Sequence, residues 1–181
     1  MKSWCDENGK TLRLIANSGC IYDCPFHTFH DNLVAHESEM HEGENTMPYH
    51  SPCWETMHGY KTKEAAALFL QGNWIRPEDI KHYEPYFEEA KLATRMHAFP
   101  RRVISAYARN RFRGNLFDLT EPAYSVRFKY AILDATCMPE GYFQQRLRCD
   151  HNCEKCGYCL EVAKQALKDK FELEETYLHS I

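Results

Sequence analysis

Apolar residues fall in short runs separated by polar turns, and these runs predict strands and helices in alternation. Residues 12–16 predict a first strand, and residues 17–25 predict a loop at its carboxyl end. Residues 74–76 predict a second short strand. A helix is expected to start directly after it, because Pro77 suits the first helical position and Glu78 and Asp79 place acids in the first turn.

A third strand and helix follow further along the chain. Residues 90–94 predict the strand, and residues 100–112 predict the helix, with Gly114 and Asn115 as its stop signal. Three strands that alternate with helices favour an α/β fold with a parallel sheet. Because such folds carry their chemistry at the carboxyl ends of the strands, the loop at residues 17–25 is a candidate site.

The composition predicts one globular domain that works inside the cell. Of the 181 residues, 44% are hydrophobic, and the net charge is -4, which gives no global electrostatic case for nucleic acid. The first residues lack the apolar region of a signal peptide, and no apolar run is long enough to cross a bilayer. We therefore predict a cytoplasmic protein with no membrane partner.

The strongest chemical signal is a group of four cysteines near the end of the chain. Cys149, Cys153, Cys156 and Cys159 are separated by three, two and two residues, and His151, Asn152 and Gly157 suit a turning backbone between them. Such spacing lets several thiolates converge on a soft metal or an iron–sulfur cluster. In a reducing compartment nine cysteines also favour metal over disulfides. Disulfides or buried free thiols are the alternative.

The identity of the metal stays open, since four thiolates suit a 4Fe-4S cluster as well as tetrahedral zinc. The apolar positions after Cys159 have helical spacing from Leu160 to Leu167 and on to Phe171. A helix is therefore expected to start at the last cysteine and to direct its free N–H groups at the negatively charged site.

A second metal candidate lies in the loop after the first strand. Cys20 and Cys24 are expected to supply two ligands and Cys53 a third, with His27, His30 and His36 close by in the sequence. The alternative is a polar loop of packed cysteines whose histidines cap helices or face solvent.

Arginines are concentrated in nineteen residues in the middle of the chain, at positions Arg95, Arg101, Arg102, Arg109, Arg111 and Arg113. Such a cluster suits phosphate groups or RNA. A solvated helix face with basic residues near its carboxyl end is the alternative.

Several short motifs occur in the order found in a known family. Residues 14–20 read LIANSGC, followed by CPFH at residues 24–27 and by His30. WIRPED at residues 74–79 and KLATR at residues 91–95 come later. Together they resemble the collagenase-like peptidase family over roughly residues 12 to 160. The resemblance implies a (β/α)8 barrel, a 4Fe-4S cluster, and either protease-associated activity or oxygen-independent hydroxylation of RNA or of a quinone precursor.

Only a few residues precede the first predicted strand, so the chain resembles the carboxyl-terminal half of that barrel. The predicted fold is α/β, a partial (β/α)8 TIM-like barrel with a cysteine-rich metal-binding segment. Residues 1–145 form the half-barrel region, and residues 146–181 form the metal-binding segment with its helix. A second polypeptide, a second copy or the rest of a longer protein is expected to complete the barrel, unless residues 118–181 cover the open edge.

The function expected from these features is that of an iron–sulfur enzyme or enzyme subunit in redox, hydroxylation-type modification of RNA or a small molecule. Asn17, His27, His30 and Arg95 are expected to line its pocket, where Arg95 binds an anionic group and a histidine moves protons. One alternative is a non-enzymatic module stapled by zinc or iron–sulfur that docks on a partner. Peptidase activity is implied by family analogy alone.

Overall fold

Helices and short strands alternate along residues 1–40, 52–95 and 97–170, which are the residues that the computed structural model describes. The α-helices are α1 (Lys2–Glu7), α2 (His27–Glu39), α3 (Pro52–Gly59), α4 (Thr62–Leu70), α5 (Pro100–Ala108), α6 (Tyr142–Leu147), α7 (Cys153–Cys156) and α8 (Tyr158–Ala166). The strands are β1 (Arg13–Ile15), β2 (Glu89–Lys91), β3 (Ala131–Leu133) and β4 (Leu167–Asp169). Short 3-10 turns occur at Pro77–His82, Leu116–Asp118, Tyr124–Val126 and Ala135–Cys137.

The first and third predicted strands are present and pair in parallel. β1 and β2 lie side by side with Leu14 opposite Ala90, so parallel pairing is confirmed for this pair of strands. Both are shorter than predicted, and β2 is also shifted, since it shares only residues 90 and 91 with the predicted strand. Beyond β1 the chain continues in an extended path, where Ser18 forms a parallel bridge with Glu121. The carboxyl end of β1 therefore lies between several distant segments, as a functional loop in an α/β fold requires.

The predicted strand at residues 74–76 is wrong, because only Trp74 pairs, in an antiparallel bridge with Asn17. Its indole Nε1 donates to the carbonyl of Phe69 at 2.9 Å, which holds the segment against the end of α4. Pro77 then starts a 3-10 turn in place of the α-helix that its sequence signals predict.

The predicted helix at residues 100–112 ends four residues early, at Ala108. The chain reverses where Asn110 takes a left-handed conformation with φ of 48°, which asparagine tolerates better than most residues. Inside α5, the Tyr107 hydroxyl donates to the carbonyls of Ala16 and Ile75 at 3.2 and 2.6 Å. This contact fixes α5 against the end of β1.

The helix predicted after Cys159 is also shorter than its apolar pattern. It begins at Tyr158 and ends at Ala166, so Leu167 belongs to β4, which pairs antiparallel with β3, and not to the helix. The amide of Asp134 donates to the carbonyl of Ala166 at 2.8 Å and continues this pairing to the helix end. Phe171 and the rest of residues 171–181 lie outside the described part of the chain.

The main core forms where α4 packs against α8. Small buried residues on both helices, Ala65 and Ala66 on α4 and Ala163 and Ala166 on α8, let the two backbones approach closely. Phe69 is buried against Phe117 in an edge-to-face contact with ring centroids 4.9 Å apart. The packing fixes α8, and with it the position of Cys159 in its first turn.

The described strands form two separate two-stranded sheets, so the partial barrel and the division at residue 145 stay predictions. The side chain of Ile15 on β1 is 47% exposed. Across the described ranges, no helix has both the length and the apolar character needed to span a bilayer.

Candidate metal centre

The four cysteines of residues 149–159, here called the C-terminal cluster, are presented by two helices joined by a tight turn. Cys149 lies in the loop after α6, while Cys153 and Cys156 are the first and last residues of α7. Gly157 then takes a left-handed conformation with φ of 65°, which glycine adopts without a steric penalty. This turn allows α8 to start at once, so that Cys159 falls in its first turn.

Local hydrogen bonds shape the loop that carries Cys149. The side-chain oxygen Oδ1 of Asp150 accepts from the amide of Asn152 at 3.0 Å, which forms an Asx turn. His151 between them is left-handed, with φ of 60°. The carbonyl of Asn152 accepts from the amide of Cys156 at 3.0 Å and so starts α7. These contacts curve the backbone around the thiols.

All four thiols line one open cavity of about 350 Å³, whose far wall comes from α4 and the residues around it. Cys153 and Cys156 are exposed, Cys149 and Cys159 are half-buried, and all four are free thiols. Within the described residues, no three Cys, His, Asp or Glu side chains lie close enough together to hold a metal ion in the conformations shown. The structure thus gathers the donors around one space without closing a coordination shell.

Arg146 places a positive charge beside the C-terminal cluster. Its Nη1 lies 3.7 Å from the sulfur of Cys149, and its Nη2 donates to the carbonyl of Gln71 at 3.2 Å. The pKa of the Cys159 thiol is raised to about 11, chiefly by burial and also by the three neighbouring cysteines, while Arg146 acts to lower it. The pKa of Cys153 is likewise raised by burial and by Cys149, while Arg146 acts to lower it. A bound metal cation would lower these raised pKa values, because a thiol that coordinates a metal loses its proton.

The second group, here called the loop cluster, consists of Cys20, Cys24 and Cys53. The three line one enclosed cavity of about 30 Å³ together with His27 and His30 at the start of α2. Burial raises the pKa of Cys20, the Ser18 hydroxyl lowers it, and Asp31, Cys24 and Cys53 raise it again. The structure thus brings these residues to one cavity, and their role as metal ligands stays a prediction. A cavity of this size has room for one or two water-sized groups, so it suits a single ion better than a four-iron cluster.

Aromatic residues close the loop cluster from one side. The buried Tyr124 donates its hydroxyl to the carbonyl of Gly19 at 2.7 Å and stacks on Trp54 with ring centroids 5.3 Å apart. Burial raises the pKa of Tyr124, and Cys53, Cys20 and Cys24 raise it further. Gly19 is required here, because a Cβ atom would lie 2.9 Å from the carbonyl oxygen of Pro122.

The other two predicted pocket residues lie in different surroundings. Asn17 is fully buried, and its Nδ2 donates to the carbonyls of Ala93 and Leu119 at 2.7 and 3.0 Å. Its Oδ1 accepts from the amide of Ala93 at 2.7 Å, so the amide group ties backbone segments together. Arg95 is exposed, four residues after the end of β2. The catalytic roles of Asn17, His27, His30 and Arg95 stay predictions.

Sequence reasoning missed the residues that connect the two cysteine groups. The rings of Tyr22 and His151 stack with centroids 3.6 Å apart and planes 6° apart. Arg146 reaches from the C-terminal cluster to Gln71, and the amide of Asn73 nearby donates to the carbonyl of Cys20 at 3.0 Å. The position of Arg146, one helical turn before Cys149, was the available signal. No local pattern indicates the ring stack.

Comparison with known proteins gives one informative relative. The chain is 32% identical over 163 residues to an uncharacterized protease of Methanocaldococcus jannaschii, and the match covers 88% of this chain. It covers 47% of the relative, so the chain spans about half the length of that protein. No family model matches the sequence. No solved structure matches it either.

Proposed function

We propose that this chain is an iron–sulfur protein in which Cys149, Cys153, Cys156 and Cys159 hold a 4Fe-4S cluster. The observation that carries the proposal is that all four thiols line one cavity next to the guanidinium of Arg146. Four thiolates are the usual ligand set of such a cluster. The cavity beside these four cysteines is larger than the cavity of the loop cluster, which is about 30 Å³. We therefore place the 4Fe-4S group at the C-terminal cysteines.

The protein residues around the thiols suit a negatively charged group. Arg146 is fixed by two backbone carbonyls, those of Gln71 and Gly72, so its charge stays beside Cys149. The first turn of α8 faces the same cavity through Tyr158 and Cys159, and the amino end of a helix favours negative charge. A bound cluster supplies electron transfer at this place. The residues of the chain orient it, shield one side and balance its charge.

The activity that fits is redox, hydroxylation-type modification of RNA or a small molecule by an enzyme or enzyme subunit. The cavity is open enough to admit a substrate group next to the thiols, and Glu64 and Gln71 supply polar atoms on its far wall. His27 and His30 are the proposed proton-transfer residues and Arg95 the proposed anion-binding residue, although the two histidines line the cavity of the loop cluster and none of the three lines this cavity. Asn17 acts as a positioning residue, since its hydrogen bonds all go to backbone.

The proposed family is that of the collagenase-like peptidases, and the proposed fold is the carboxyl-terminal half of their barrel. The similarity to a relative named as a protease and the parallel pairing of β1 with β2 support both proposals. Among the described strands β1 pairs with β2 alone, so its other edge is where a second polypeptide or a second copy would complete the sheet. Peptidase activity is a further candidate, and the name of the relative is what favours it.

A zinc-stapled module that docks on a partner is the second candidate function, because zinc accepts the same four thiolates. Metal analysis of protein purified without oxygen separates the two. A brown protein with broad visible absorption and about four irons per chain supports the cluster. A colourless protein with about one zinc per chain supports the staple and contradicts the proposal.

A further inference from the structure

We propose that an arginine-lined groove on α5 and the turn after it binds the phosphodiester backbone of single-stranded nucleic acid. The groove, of about 650 Å³, is open to solvent and lies outside both cysteine clusters. Its lining residues are Arg102, Ser105, Ala106, Arg109, Arg111, Phe112 and Arg113. The role of this groove in presenting a substrate rests on the proposed function. Binding of nucleic acid to the groove does not depend on the metal.

The charge of this region is opposite to that of the whole chain. Residues 92–117 contain six arginines and no Asp, Glu or Lys, whereas the protein carries a net charge of -4. The cations are all arginine, whose planar guanidinium binds phosphate oxygens through two parallel hydrogen bonds. A segregated basic stripe on an acidic protein is the electrostatic footprint of a polyanion site.

Three arginines of the groove have no acidic partner. Throughout residues 1–40, 52–95 and 97–170, no carboxylate lies within ion-pair distance of Arg109, Arg111 or Arg113, all of which are exposed. Arg102 is held differently, since its Nη1 donates to Oδ2 of Asp118 at 2.7 Å. The groove therefore has one fixed arginine and three that can pair with a ligand.

Backbone geometry explains why the side chains of Arg111 and Arg113 share one surface. After the left-handed Asn110, residues 111–113 run without helical structure, and in an extended chain alternate side chains point to the same side. Phe112 is half-buried against the core, and its amide donates to Oε1 of Glu78 at 2.6 Å. This anchor leaves Arg111 and Arg113 on the solvent side.

The alternative, a solvated helix face with basic residues near its carboxyl end, does not describe Arg111 and Arg113, which lie beyond the end of α5 at Ala108. These side chains are not needed as helix caps either. The carbonyls of Ser105, Ala106 and Tyr107 already accept backbone amides of residues 109–111 at 3.1 to 3.2 Å. An exposed aromatic ring also lies at the end of the groove, where the guanidinium of Arg102 covers Phe99 at 4.8 Å. Phe99 is 59% exposed, and arginines beside an exposed aromatic ring suit single strands, whose bases stack on such rings.

The test is binding of fluorescent single-stranded RNA and DNA oligonucleotides of one sequence to the full 181-residue chain at 50 and 200 mM salt. Three phosphate contacts on a single strand predict a roughly 20-fold loss of affinity over this range. The variant R109Q/R111Q/R113Q is expected to lose most of that dependence. The matched control K10Q/K81Q/K129Q also removes three exposed positive charges but none from the groove, and it is expected to bind like the wild type.

Each outcome decides the question. Equal binding of RNA and DNA supports recognition of the backbone, and tighter binding of RNA adds contacts to ribose. Absence of binding, an equal loss in both triple variants, or competition by polyglutamate as effective as that by RNA would overturn the proposal. Circular dichroism checks that the variants are folded. Iron content, measured on the same samples, separates failure of this groove from failure of the metal centre.

Discussion

Tyr22 and His151 stack face to face, and each is the middle residue of a loop with three residues between two cysteines. Tyr22 lies between Cys20 and Cys24, and His151 lies between Cys149 and Cys153. The two cysteine groups, far apart in the sequence, therefore meet through equivalent positions of their loops. A residue in each loop is left-handed, Asp23 in one and His151 itself in the other, which curves both loops at the contact.

The stack is expected to couple the two loops energetically. In a double-mutant cycle, Y22A and H151A should each lower the free energy of unfolding, and the coupling energy should be about 0.5 to 1.5 kcal/mol. Urea denaturation of the wild type, both single variants and the double variant measures it. Strictly additive effects of the two substitutions would mean that the rings touch without stabilising the loops.

Asn17 is expected to stabilise the folded protein whatever the chemistry of the site. N17A removes three hydrogen bonds and leaves the amide and carbonyl of Ala93 and the carbonyl of Leu119 without their partner. We expect a loss of about 2 to 4 kcal/mol in the free energy of unfolding. The control is N8A, since Asn8 also bonds a carbonyl, that of Trp4 at 2.8 Å, but is exposed. Equal effects of the two substitutions would contradict the prediction.

Asp134 gives the protein a pH-dependent contact between β3 and β4. Burial acts to raise its pKa, but hydrogen bonds from Lys168 and Thr136 lower it to about 2. Because the folded pKa lies below the ordinary value of 3.8, the stabilisation is full above about pH 4 and is lost as the pH falls through 2.

The variant D134N should therefore be less stable than the wild type by about 1 kcal/mol at pH 7, a modest value because Lys168 is partly exposed. Thermal melts between pH 7 and pH 2 should show this difference shrinking with acid. The control E161Q removes the exposed ion pair with Lys164 and should have little effect. A D134N difference that stays constant with pH would refute the assignment.

Arg146 is expected to stabilise metal bound at the C-terminal cluster through its positive charge and its planar guanidinium. R146A removes the cation beside Cys149 and the contacts to the carbonyls of Gln71 and Gly72. R146K keeps the charge without the planar fork. Loss of metal to a chelator should be fastest in R146A and intermediate in R146K. R148A, which removes an exposed arginine two residues away, is the control, and equal rates in all four proteins would count against the role.

The sequence predicted the elements whose signals are local. The two strands at residues 12–16 and 90–94, the start of α5 at Pro100 and the start of α8 beside Cys159 all follow from short apolar runs and turn residues. Spacing accounts for the four cysteines of the C-terminal cluster and for Cys20 with Cys24, because loops and helix turns bring residues three or four positions apart onto one side. Cys53 lies far from Cys24 in the sequence and joins the loop cluster through the fold.

Long-range contacts were beyond such reasoning. Trp74 does not continue a strand, because its backbone pairs with the distant Asn17 while its indole bonds the carbonyl of Phe69, five residues earlier. The pairing with Asn17 is not visible in the local sequence. β4 replaces the last predicted turn of α8 because β3, more than thirty residues earlier, offers it a partner. In both places tertiary pairing overrides the local apolar pattern.

The most direct test of the metal centre is iron per chain in anaerobically purified C153S/C156S and C20S/C24S, beside C137S as a control outside both clusters. Serine is a poor ligand for an iron–sulfur cluster, and the two double variants remove equal numbers of thiols. If the C-terminal cysteines hold the iron, C153S/C156S should lose its iron and its visible absorption, whereas C20S/C24S and C137S should keep them. Full iron in C153S/C156S with none in C20S/C24S would contradict this placement of the cluster.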